Sequence, residues 1–96
     1  MRYEWDEAKR LANIQKHGID FTGIEKVFAG KIVTMLDDRF DYGESRFITF
    51  GLLSGRLVGI AHTETDEVIR IISVRKATKN EEAGYFQEIA DGLEAS

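Results

Sequence analysis

Cysteine and proline are both absent from this 96-residue chain. Without cysteine there is neither a disulfide framework nor a thiolate metal site. Without proline, the turns fall to Gly, Asp, Asn and Ser. Histidine occurs twice, at positions 17 and 62, a spacing that makes a zinc-type pairing improbable and leaves no metal ligand set to expect. There is no Gly-rich phosphate loop and no nucleophile elbow, and nothing calls for a cofactor. No apolar run approaches membrane-spanning length, and the first residues, Met-Arg-Tyr-Glu-Trp-Asp, lack the apolar core of a signal peptide. The expectation is a cytoplasmic protein without a membrane segment. One further scarcity is local. Beyond Lys79 the chain contains Glu81, Glu82, Glu88, Asp91 and Glu94 but no Lys or Arg. Setting those five aside leaves twelve acids against all 13 Lys and Arg, so the net charge of −4 is largely that of one C-terminal element.

The chain length suits one domain, residues 1–96, with a modest core. Its most β-prone stretch is Val68-Ile-Arg-Ile-Ile-Ser-Val-Arg-Lys-Ala77. Apolar residues occupy both parities: Val68, Ile72 and Val74 on one, Ile69 and Ile71 on the other. That pattern predicts a strand inside a sheet, packed on both faces. Arg70 interrupts it, and Arg75 with Lys76 closes it. Each arginine is either a salt-bridge anchor or part of an anion site on a rigid floor, because an unpaired buried charge is strongly disfavoured.

Around that strand the chain reads in order. Tyr3-Glu-Trp5 is an edge strand or an aromatic anchor. Asp6 caps a helix that runs to His17 and stops at Gly18. On it Ala8, Leu11, Ala12 and Ile14 share one side, opposite Asp6, Lys9, Asn13, Lys16 and His17, a stripe that is either a solvated face or a phosphate-binding ridge. Asp20 can cap a short second helix bearing Phe21, Ile24, Val27 and Phe28, ended by Gly30. Lys31 to Leu36 is a strand. The acidic stretch 37–44 is followed by a hairpin, Arg46–Leu53 and Arg56–Thr63, around Ser54-Gly55. Thr78-Lys-Asn-Glu81 is a capping box. It opens a last helix with apolar positions Ala83, Phe86, Ile89, Ala90 and Leu93, limited by Gly92. The fold class is therefore α+β: two N-terminal helices, a mainly antiparallel sheet of four or five strands, and a C-terminal helix.

A set of cations with a few acids, a Tyr and a His suits metal-independent cleavage of RNA. There the substrate's own 2′-OH attacks the adjacent phosphate. The protein orients it, moves two protons and stabilises the extra negative charge. Arg fits the last role, since its fork matches phosphate oxygens and stays charged. His17, His62 or Glu64 could carry protons. Composition alone does not select this chemistry, because each of these residues also has a surface-charge explanation.

An ordered set of motifs narrows the choice. Trp5-Asp6, Lys9, Asn13, Lys16-His17-Gly18-Ile19 and Phe21 are followed by Asp41-Tyr42-Gly43-Glu44, Arg46, Thr63-Glu64, Ile69-Arg70-Ile71-Ile72-Ser73 and Arg75-Lys76-Ala77. From about residue 3 to 79 this combination resembles the BrnT family, toxins of BrnT–BrnA type II toxin–antitoxin modules. Val74 stands where the family usually has Ala, a change of volume and not of chemistry. The resemblance implies a RelE-like fold, ribonuclease activity and inhibition of translation. It also implies neutralisation by a BrnA-like antitoxin with a ribbon-helix-helix DNA-binding domain. The family's polar positions map to Lys9, Lys16, His17, Glu44, Arg46, Glu64, Arg70, Ser73, Arg75 and Lys76.

Within that set, Arg70, Arg75, His17 and Glu64 are the catalytic candidates, and Lys9, Lys16, Arg46 and Lys76 the RNA-binding ones. The structural alternatives are specific. Arg70 can pair with Asp6, Glu44 or Glu64. His17 can serve the end of its helix, where the dipole favours a cation. Trp5 and Tyr42 either stack on bases or pack at the core rim, and Ser73 can simply be a small residue under a helix. The acidic last helix either shields the basic face or marks where the antitoxin docks. A non-catalytic nucleic-acid-binding or regulatory homodimer on the same fold is the alternative to the ribonuclease.

Overall fold

The computed structural model describes every residue except Phe40, Tyr42 and Ser96, and the backbone alone of residues 93–95. The expectations for Tyr42 and for the Leu93 side chain therefore lie outside the described residues. The elements are β1 (Arg2–Trp5), α1 (Glu7–His17), α2 (Glu25–Ala29), β2 (Val33–Asp37), β3 (Arg46–Leu53), β4 (Arg56–Glu64), β5 (Val68–Lys76) and α3 (Lys79–Ala95). One five-stranded sheet has the order β1-β5-β4-β3-β2. β1 runs parallel to β5, and the remaining pairs are antiparallel. The class is α+β, as the patterning predicts, and Tyr3-Glu-Trp5 is the edge strand that makes the count five.

Local signals account for most boundaries. The Asp6 carboxylate accepts the Lys9 N–H at 3.1 Å, and Gly18, at φ 71°, ends α1 with its N–H on the Ile14 carbonyl. Ser54 and Gly55 take φ 51° and 81°, both left-handed as a tight hairpin turn requires. Thr78 and Glu81 form the reciprocal bonds of the capping box. Two predicted signals act differently. Asp20 does not cap α2: its Oδ1 accepts from the Thr22 N–H and hydroxyl, while Oδ2 takes Arg10 at 3.0 Å. Gly92 does not stop α3, which continues to Ala95.

The first core lies between the helical hairpin and the sheet. Phe21, Ile24 and Val27 meet Val58, Ile60, Ile69, Ile71 and Val74, all buried, with Trp5 and Tyr3 at the rim. Each such large side chain contributes about 2 kcal/mol by leaving water. Trp5 sets its ring edge-on to Phe21 and Tyr3 meets Phe28, so both aromatics of β1 are packing residues. Gly51 permits the close approach of α2: a Cβ there would stand 2.6 Å from a Val27 methyl. The opposite face carries a smaller core of Phe50, Leu57, Ala77 and Tyr85 under α3.

Both apolar helix faces differ from the periodicity reading. On α1, Leu11 is 55% exposed, Ala8 and Ala12 face out, and the buried residue is the polar Asn13. On α3, Phe86 is 53% exposed and Ala83 and Ala90 are also outside, whereas Tyr85 is buried. In each case a hydrogen bond outweighs hydrophobic patterning. Tyr85 donates to the Lys31 carbonyl at 2.8 Å. Asn13 satisfies three buried backbone groups, described below.

The pattern of β5 has a further cause. Between Ala61↔Ser73 and His62↔Ile71, β5 advances two residues while β4 advances one. This bulge inverts parity, so Ile69, Ile71 and Val74 all enter the same core. Val68 and Ile72, expected to bury a second face with Val74, are half-buried. The same bulge sets Arg70 and Arg75, five residues apart, on one face of the sheet.

Candidate functional site

The site begins where β1 ends. β1 pairs with β5 as far as Trp5↔Ile71, leaving the outer edge of β5 open beyond that point. Asn13 of α1 closes part of it. Its Nδ2 donates to the Val74 carbonyl at 2.9 Å and to the Ile19 carbonyl at 2.8 Å, and its Oδ1 accepts the Val74 N–H at 3.0 Å. One buried amide thus stands in for a strand, satisfying groups that would otherwise be lost. Arg10 fixes the same helix from beside it, donating to Glu7 and Asp20. These bonds hold both carboxylates below their ordinary range, with the Thr22 bonds foremost for Asp20.

Pinned in this way, α1 brings Lys9, Lys16 and His17 beside Ile72, Ser73 and Arg75 of β5. They line an open groove of about 450 Å³ together with Ala12 and Asn13. Its ionisable lining is basic throughout: two lysines, one arginine and one histidine. Ser73 adds a hydroxyl. The stripe on α1 is therefore mixed, since Asn13 is a buried tether while Lys9, Lys16 and His17 are exposed. The groove offers several donors to a phosphodiester and one imidazole to carry a proton.

Four of the eight candidates come together here: Lys9, Lys16, His17 and Arg75. The others stand elsewhere. Arg70 is on the Arg75 face, half-exposed and paired with Glu4 of β1 at 3.1 Å, not with Asp6, Glu44 or Glu64. Glu64 is exposed at the end of β4, opposite Ile69, and Lys76 is exposed opposite Val58. Arg46 is half-buried at the start of β3, across from Asp37. Asp37 itself is buried, with Arg39 bonding both its oxygens at 2.8 and 3.1 Å. The pair joins a buried carboxylate to an arginine that is itself mostly exposed.

Arg75 is one-third exposed and bidentate: Nη1 donates to Glu81 Oε1 at 2.7 Å and Nη2 to Oε2 at 2.9 Å. This interaction raises the arginine pKa, and with the Thr78 bonds it depresses Glu81 to about 2. Nothing in the sequence marks Glu81 as a site residue, because its capping-box role already explains it. His62, considered as a proton carrier, is 1% exposed and lies against Phe28 and Phe47. Its Nε2 meets the Thr49 hydroxyl at 2.7 Å, and Thr49 meets Thr34 at 2.8 Å. Burial holds its pKa below the ordinary value. It belongs to the core.

The described site is thus a basic groove along the unfinished edge of a small α+β sheet. The chain belongs to the BrnT family, described as ribonuclease toxins of type II toxin–antitoxin systems, whose model matches residues 5–81. Such a toxin has a protein antitoxin as its partner. No curated protein matches the chain. Among the described residues no helix is long and apolar enough to cross a membrane.

Proposed function

We propose that this chain is an endoribonuclease that cleaves RNA through the substrate's 2′-OH, without a metal, and thereby inhibits translation in the cytoplasm. A BrnA-like antitoxin with a ribbon-helix-helix DNA-binding domain neutralises it. The observation that carries this reading is the groove between α1 and β5, whose ionisable lining is entirely basic in a protein of net charge −4. Lys9 and Lys16 hold the backbone phosphates of the strand. Arg75 neutralises charge developing on the scissile phosphate. His17, at the open C-terminal end of α1, relays a proton to or from the reacting oxygens. Arg46, Glu64, Arg70 and Lys76 stand outside this groove.

The test is incubation of purified protein with end-labelled RNA in the presence of a chelator. Fragments ending in 2′,3′-cyclic phosphate are the expected product. The lining contains a histidine but no carboxylate to complete an acid–base pair, which favours a second reading, a non-catalytic RNA-binding homodimer. Tight binding with intact RNA would select it.

A further inference from the structure

The flat edge between the two terminal nitrogens of Arg75 is already occupied. Both donate to Glu81, at 2.7 and 2.9 Å. That edge is the one a phosphate takes when it accepts two parallel bonds. Glu81 is not a casual surface neighbour. Its Oε1 also accepts the Thr78 N–H at 2.9 Å, and its own N–H donates to Thr78 Oγ1 at 3.2 Å. A single carboxylate therefore caps α3 and closes the arginine fork. The helix it begins carries no Lys or Arg beyond Lys79, so α3 supplies no replacement cation.

We infer that Glu81 is a built-in brake on the RNA groove: it fills the phosphate-binding edge of Arg75, and RNA obtains the whole fork only when Glu81 releases it. This rests on the reading of the α1–β5 groove as the RNA site and adds a residue that lowers the affinity of that site. Release is feasible because the pair is part-exposed, with about a third of each side chain open to solvent, so water and a competing phosphate can both reach it. Release also loosens the first turn of α3, since the same carboxylate leaves the Thr78 N–H. Arg75 availability and the order of that turn are thereby coupled.

The test exploits the tolerance of capping boxes for Gln as well as Glu. Glu81→Gln keeps the cap and removes the charge. Binding of a fluorescein-labelled single-stranded oligoribonucleotide is measured by anisotropy over a range of salt. The proteins are wild type, Glu81→Gln, Arg75→Ala and the double variant, each checked for folding by its thermal transition. Glu81→Gln is expected to bind about tenfold tighter, with a salt dependence steeper by about one phosphate contact, and the gain should vanish in the double variant. Binding equal to or weaker than wild type, while Arg75→Ala weakens it, would overturn the brake and leave the RNA groove standing. Unchanged affinity in Arg75→Ala would remove Arg75 from the RNA site and the brake with it. A second readout needs no RNA: the Arg75 Nε–Hε NMR signal followed against inorganic pyrophosphate. It should respond at lower pyrophosphate in Glu81→Gln than in wild type. Identical responses would overturn the proposal.

Discussion

Arg75 stands between two grooves made of opposite materials. On one side, α1 and β5 enclose about 450 Å³ with basic ionisable groups alone. On the other, β2, β3 and α3 enclose about 550 Å³ over an apolar floor of Val33, Met35, Ile48, Phe50 and Tyr85, edged by Asp38, Glu81 and Glu88 with Arg39 and Arg75 between them. The sheet is common to both, so the difference lies in which helix supplies each wall. α1 delivers Lys9, Lys16 and His17, whereas α3 delivers carboxylates. A chain with negative net charge can thus present a cationic surface, because its acids are concentrated in sequence and the fold puts that segment on one side.

The largest way to break this contrast is to remove the tether that makes α1 a wall. Asn13→Ala would leave the N–H and carbonyl of Val74 without their partner in a buried place. It should cost about 3 kcal/mol, read as a lower urea midpoint at unchanged slope, with RNA binding lost along with the groove. Next in size is charge reversal. Lys9→Glu with Lys16→Glu should weaken RNA binding well beyond tenfold and flatten its salt dependence by about two phosphate contacts, while thermal stability hardly moves. A charge change in the other groove at a residue that does not touch Arg75 should do much less. Glu88→Gln is expected to leave RNA affinity within about twofold, and a large gain or loss would show that the two grooves do not divide the work as described.

A smaller effect separates the core under α2 from the cap of α3 by pH. His62 has a folded pKa below the ordinary 6.5 because burial disfavours its charged form. As pH falls through 6.5 the unfolded chain takes up a proton that the folded state resists, so stability declines. Glu81 acts later. Its carboxyl lies near 2 against an ordinary 4.5, so its contribution is complete above 4.5 and fades as pH falls toward 2. Urea midpoints measured against pH should lose the first decline in His62→Gln and the second in Glu81→Gln.

The individual strands, the hairpin turn at Ser54-Gly55 and the caps at Asp6 and Thr78 were legible in the sequence because each rests on neighbours a few residues apart. The basic groove was half legible. Lys9, Lys16 and His17 appear as a stripe at helical spacing, and the strand-end position of Arg75 marks it as available. What could not be read depends on distant partners. Asn13 looks like surface on a helical wheel until Val74, 61 positions away, claims its amide. Tyr85 takes an inward place that periodicity assigns to Phe86, because the Lys31 carbonyl needs a donor. The bulge at Ile72 has no local signature, and it decides that Arg70 and Arg75 share a face. Sequence offers Arg70 the acids Asp6, Glu44 and Glu64, whereas its partner is Glu4, brought beside it by the parallel pairing of β1.

The central claim is that the phosphates of RNA lie in the α1–β5 groove. The most direct measurement is an NMR titration with a short, non-cleavable 2′-methoxy oligoribonucleotide, following backbone amides throughout the chain. The largest shifts are expected on Lys9, Lys16, His17, Ile72, Ser73 and Arg75. Shifts concentrated instead on Met35, Leu36, Gly84 and Glu88, with the first set silent, would contradict it.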